Sequence, residues 1–80
     1  MINAGIFPGS ILIVDRSLEA HQNSIIVAVL DGNFTVKRYR KLADRIILVA
    51  ENPKYHPIEI RSEQDFEVWG VVVHAIRTFS

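Results

Sequence analysis

The side chains able to do acid-base or nucleophilic chemistry are few: His21, His56 and His74, serines at 10, 17, 24, 62 and 80, and Lys37 within an alternating stretch. The histidines are far apart and form neither H-x-x-x-H nor H-E-x-x-H, the spacings that hold a metal between two imidazoles. They read as surface or half-buried residues. No serine lies in G-x-S-x-G, an elbow that needs a strand-to-helix turn, so a Ser-His-Asp triad is not supported. Neither G-x-x-x-x-G-K-[ST] nor G-x-G-x-x-G occurs, so no phosphate-cradling loop is expected. With no cysteine, disulfides and thiolate-ligated zinc are excluded. No metal and no cofactor is expected.

The basic cluster Lys37, Arg38, Arg40, Lys41 and Arg45 surrounds Tyr39, a composition that can follow a phosphate backbone and stack a base. A strand alternates its side chains, however, and sends Arg38 and Arg40 to the face opposite Lys37 and Lys41. Lysine plus arginine number 9, as do aspartate plus glutamate, so no overall field draws the chain to nucleic acid or to an anionic membrane. A solvated hairpin end is the preferred reading, with no direct nucleic-acid contact and no membrane. A small β-barrel that binds single-stranded nucleic acid stands as the alternative from another class.

These residues must be positioned by strands. The 80 residues suffice for one domain, 1–80, with no linker, repeat or low-complexity tract. Ile11 to Val14 follows the turn-forming Phe7-Pro8-Gly9-Ser10 and is expected to be the first strand. Ile25 to Leu30 and Asn33 to Arg40 flank Asp31-Gly32, a pair suited to a two-residue type I′ turn. Lys37 then shares a face with Thr35 and Tyr39. Ile46 to Ala50 and Ile58 to Ile60 are expected strands on either side of Pro53 and Pro57. Phe66 to Ile76 reads as a long strand bent or bulged at Gly70, with Ser62 to Asp65 as a turn or single helical turn before it. The sum is an all-β fold, a small β-sandwich or partly open barrel of short, mostly antiparallel strands.

Apolar residues make up 49% of the chain, yet no run approaches the roughly 20 needed to span a membrane as a helix. The start lacks the basic and long apolar regions of a secretory signal, so a cytoplasmic setting is expected. So much apolar sequence in a small body predicts an exposed apolar patch and a homodimer.

Four blocks of the chain resemble the UmuD/LexA family of Ser-Lys self-cleaving proteins. Asp31-Gly32-Asn33-Phe34-Thr35-Val36-Lys37-Arg38 is similar to that family's D-G-E-F-T-V-K-K segment, which carries its catalytic lysine. Met1-Ile2-Asn3-Ala4-Gly5-Ile6 and Gly9-Ser10-Ile11-Leu12-Ile13-Val14-Asp15 resemble M-I-x-A-G-I-x-x-G-D-x-L-I-V-D. Glu51 to Ile58 resembles N-x-x-Y-x-P-I, and Trp69-Gly70-Val71-Val72-Val73-His74 resembles F-G-V-V-x-H. The last two blocks are more similar to the UmuD branch, accessory subunits of error-prone polymerases, than to LexA repressors.

The resemblance implies an all-β domain with Lys37 as the general base of a Ser-Lys dyad. It also implies a homodimer that cuts itself when activated by RecA filaments and then joins a UmuC-type DNA polymerase in SOS mutagenesis and translesion DNA synthesis. The alternative within the family is the self-cleavage domain of a LexA or phage-type repressor. The family's serine aligns directly before Met1, so the 80 residues alone are expected to be inactive as a peptidase. The family's G-D turns become Gly9-Ser10 and Asn23-Ser24, and both turns are expected to survive because serine makes the same local hydrogen bond. Lysine must be neutral to take a serine proton. Its ordinary pKa is about 10.4, so working near neutrality requires roughly 4 kcal/mol of differential interaction, for which desolvation under a docked cleavage segment is the expected source.

Overall fold

An apolar arm and an arm of alternating character, joined by Asp31-Gly32, form the hairpin on which the sheet is built. The computed structural model describes residues 10–50, 54–61 and 64–76. Its strands are β1 (Ile11–Asp15), β2 (Ile25–Leu30), β3 (Asn33–Lys41), β4 (Ile46–Val49), β5 (Ile58–Glu59) and β6 (Phe66–Ile76). Asp31 and Gly32 have φ of 49° and 85°, the two positive angles of a type I′ turn, whose twist matches that of the strands it joins. The pairing runs from Leu30 opposite Asn33 to Ile25 opposite Arg38.

The strands form one open antiparallel sheet in the order β1-β6-β2-β3-β4-β5, in agreement with the all-β antiparallel class expected from the sequence. Ile26 and Ala28 are buried and point to one face of β2, and the buried Val71, Tyr39 and Leu48 join them from β6, β3 and β4. Ile46, Ile58, Ile60, Phe66 and Val68 pack around this core. Ile26 and Leu48 are fully enclosed, and each contributes about 1.5–3 kcal/mol through burial. The alternate residues Val27, Val29, Val36 and Val49 occupy the other face and are half-buried.

Turns hold the hairpin in place from both ends. Asn23 takes φ of 69°, Ser24 N donates to His21 O at 2.9 Å, and Ser24 Oγ accepts from His21 N at 3.0 Å. The Asn23-Ser24 turn therefore survives as expected, with asparagine supplying the left-handed residue and serine the local acceptor. Gly9 of the other expected turn lies outside the described residues. At the tip, Asp31 N donates to Asp65 O at 2.8 Å and Asp31 Oδ1 accepts from Asp65 N at 3.1 Å. These bonds fix where β6 begins.

The first half of β6 pairs with β2 and the second half with β1. Its register slips twice. Val27 faces Gly70 but Ala28 faces Val68, leaving Trp69 unmatched, while Ile13 faces His74 but Val14 faces Val72, leaving Val73 unmatched. Each extra residue bends the strand and raises its twist, which lets β6 change partners. The expected irregularity at Gly70 is thus found one residue away, with a second slip near the strand's end. Gly70 is buried because β1 crosses tightly over it, and a Cβ there would collide with Val14 Cγ1. Where β1 ends, Arg16 Nε donates to Trp69 O at 2.9 Å, and its guanidinium stacks 4.3 Å from the indole centre.

Gly70→Ala is expected to destabilise the fold by about 1–3 kcal/mol through overpacking against Val14, read as a lower urea midpoint at unchanged slope. A midpoint equal to wild type would show that β1 yields freely.

Candidate active site

Lys37 lies in the middle of β3, opposite the fully buried Ile26 of β2. Paired residues of an antiparallel ladder project to the same face, so Lys37 emerges on the core side with Thr35 and Tyr39. It is half-buried. The β4-β5 connection brings Tyr55 back over this face, and the Lys37 ammonium sits 5.8 Å from the centre of its ring. That is within the roughly 6 Å at which an aromatic face attracts a cation. Tyr55 as a residue remains 62% exposed, so it presents a surface beside the ammonium. The expected proximity of Lys37 to the backbone at Met1 concerns residues outside those described.

A single cross-strand row links Lys37 to Ile26, Val71 and Asp15. Three strand spacings separate Asp15 from Lys37, about 14 Å, a distance at which salt screens most of the attraction. Asp15 is occupied locally. Ser17 Oγ donates to Asp15 Oδ1 at 2.6 Å and Ser17 N to the same oxygen at 2.8 Å. The Ser17 hydroxyl and then its amide, with a further amide from Leu18, hold the Asp15 carboxyl below its ordinary value against a smaller opposing effect of burial.

The other sequence candidates are dispersed. His21, His56 and His74 are all exposed, in the turn before β2, in the β4-β5 connection and near the end of β6. Among the described residues no three histidine, aspartate or glutamate side chains gather as a metal site. The basic cluster is divided as strand alternation requires. Arg38 donates to Asn23 O at 2.8 Å and fastens the turn before β2. Arg45 lies 3.6 Å from Glu59 and 3.8 Å from Asp44, and the backbone of Lys41 is bridged by the Gln22 side chain through Lys41 N at 2.9 Å and Lys41 O.

The contact between Tyr55 and Lys37 is not legible in the sequence, because the two lie 18 positions apart and meet only where the chain before β5 returns over β3. Nor is that of Arg16 with Trp69, for which the one signal is a cation directly after a strand.

A family model described as Peptidase S24-like matches residues 1–73. The chain is 42% identical over 77 residues to the LexA repressor of Stenotrophomonas maltophilia (strain R551-3), covering 96% of the chain and 36% of that protein. It is 44% identical over 78 residues to the LexA repressor of Bordetella avium (strain 197N), covering 98% of the chain and 37% of that protein. The chain therefore belongs to the Peptidase S24-like family, in its LexA/UmuD group. It spans little more than a third of the length of these relatives.

Because folding lowers the Asp15 carboxyl, the group stabilises the fold above its ordinary value and loses that contribution as pH falls through its folded value. Ser17→Ala should move the Asp15 titration, followed by carboxyl carbon NMR, upward toward the ordinary value. A titration that stays put would show that the hydroxyl contributes nothing.

Proposed function

We propose that this chain is the self-processing domain of a UmuD-type SOS mutagenesis protein, with Lys37 as the general base of a Ser-Lys dyad. The observation that carries the reading is the position of Lys37: a half-buried lysine on the core side of β3, opposite Ile26 and next to the exposed ring of Tyr55. A segment laid over that face would withdraw the amine from water and favour its neutral form. The neutral amine would take the proton of the serine that the resemblance sets directly before Met1. The serine oxygen then adds to the scissile carbonyl, the C–N bond breaks, and the lysine returns the proton to the leaving amine. Water then adds to the resulting ester and gives a proton to the Lys37 amine, the C–O bond to the serine breaks, and Lys37 returns that proton to the serine oxygen, which frees the new carboxyl terminus.

The UmuD branch is supported by the stretches Tyr55 to Ile58 and Trp69 to His74. In this reading the domain works in the cytoplasm as a homodimer, is activated by RecA filaments and assembles with a UmuC-type polymerase. The LexA names of the relatives favour a second reading, the self-cleavage domain of a repressor. Operator binding by the protein together with its upstream residues separates the two, since only a repressor carries a DNA-binding domain there.

The dimer reading draws on exposed apolar side chains at the β1-β6 end, Ile11, Ile13, Val73 and Ile76. Beyond Val71, β6 has no strand partner on its β2 side among the described residues. A free strand edge beside apolar side chains is a template for pairing with another chain. Sedimentation at micromolar concentration should give a dimer that Ile76→Asp converts to monomer; a monomeric wild type would contradict this.

The dyad is tested by joining a serine and the cleavage segment to Met1. Cleavage should appear and rise with pH, and Lys37→Ala should slow it by at least about 100-fold. Equal cleavage with alanine at 37 would overturn the base assignment.

A further inference from the structure

We infer that Tyr55 is a latch on the base: its ring holds the Lys37 ammonium in place until a segment docked on that face displaces it. The inference rests on the proposed role of Lys37 and assigns a positioning residue to the same site. An aromatic face attracts an ammonium through its quadrupole and has little hold on a neutral amine. The Lys37 ammonium lies 5.8 Å from the ring centre, within reach of that attraction. The ring also limits the directions a flexible lysine can explore, beside the cross-strand neighbour Ile26.

The surroundings assign this restraint to Tyr55. Along β3 the same-face neighbours of Lys37 are Thr35 and Tyr39, and Tyr39 is buried among the core residues. β2 contributes the apolar Ile26 and Ala28 to that face, and β6 contributes Val68 and Val71. The one acid in the cross-strand row, Asp15, lies three strands away and is bound to Ser17. Lys54 and His56, the titratable neighbours of Tyr55 in the β4-β5 connection, are exposed. Among the described residues, Lys37 thus has no carboxylate within ion-pairing distance, and the aromatic ring is the group that engages its charge. A segment that covers Lys37 also meets Tyr55, an exposed residue beside it. Displacing it removes a stabiliser of the cation at the moment the site loses water.

Two measurements test the latch. In the 80-residue chain, the ring current of Tyr55 should displace the Lys37 ε-methylene proton resonances from their free-lysine positions. Tyr55→Phe should preserve the displacement and Tyr55→Leu abolish it. In the chain extended by the serine and the cleavage segment, Tyr55→Leu should speed self-cleavage at neutral pH by about two- to fivefold, the range for an exposed cation–π contact, while Tyr55→Phe should cleave at the wild-type rate. Identical lysine resonances in wild type and Tyr55→Leu, or cleavage that depends on Lys37 but is not accelerated by Tyr55→Leu, overturns the latch alone. An extended Lys37→Ala chain that cleaves as fast as wild type overturns the base assignment and the latch with it.

Discussion

The register of the β2-β3 hairpin decides what Lys37 can be. Side chains alternate across a strand, so a slip of one residue would carry the whole of β3 to the other face. Lys37 would then leave the side of Ile26 and Tyr39, and Arg38 would enter it. The Asp31-Gly32 turn fixes the register through its two positive φ angles, and burial of Ile26 and Ala28 penalises any alternative. The same turn anchors β6 through the paired bonds between Asp31 and Asp65. A local backbone preference at two residues therefore sets both the face of the lysine and the start of the strand that closes the core against it.

β6 solves a different problem. It must pair with β2 at one end and β1 at the other, and a regular strand of its length would diverge from one of them as the sheet twists. Its two register slips, at Trp69 and Val73, allow the change. Gly70 permits the close passage of Val14, and Arg16 supplies a donor to Trp69 O where β1 has ended. The end of β6 and the edge strand β1 then carry the exposed Ile11, Ile13, Val73 and Ile76, while Phe34 of β3 is exposed beside Trp69.

Features governed by neighbours in sequence were legible before the structure. Asp31-Gly32 announced the hairpin, and strand alternation placed Lys37 with Thr35 and Tyr39 and sent Arg38 and Arg40 to the opposite face. The glycine at 70 marked an irregular strand, although the choice of Trp69 and Val73 as the unmatched residues depends on how two partner strands meet β6. Contacts between distant segments were not legible. Tyr55 over Lys37, Asp31 with Asp65 and Arg16 on Trp69 arise from the path of the chain in space, and no spacing in the sequence encodes them. The family was visible in the order of the four blocks. The blocks that resemble UmuD and the LexA names of the relatives point to different branches of that one family.

In the proposed function the core-side face of β3 holds the base of a Ser-Lys pair. The most direct test of that assignment is a crystal structure of the chain extended upstream through a serine before Met1, with the distance from that serine's Oγ to Lys37 Nζ as the measurement. The account expects the two atoms within hydrogen-bond reach, about 2.6–3.2 Å, on the side of the sheet that carries Ile26 and Tyr39. A serine on the opposite face of β3, with the sheet between it and Lys37, would contradict it.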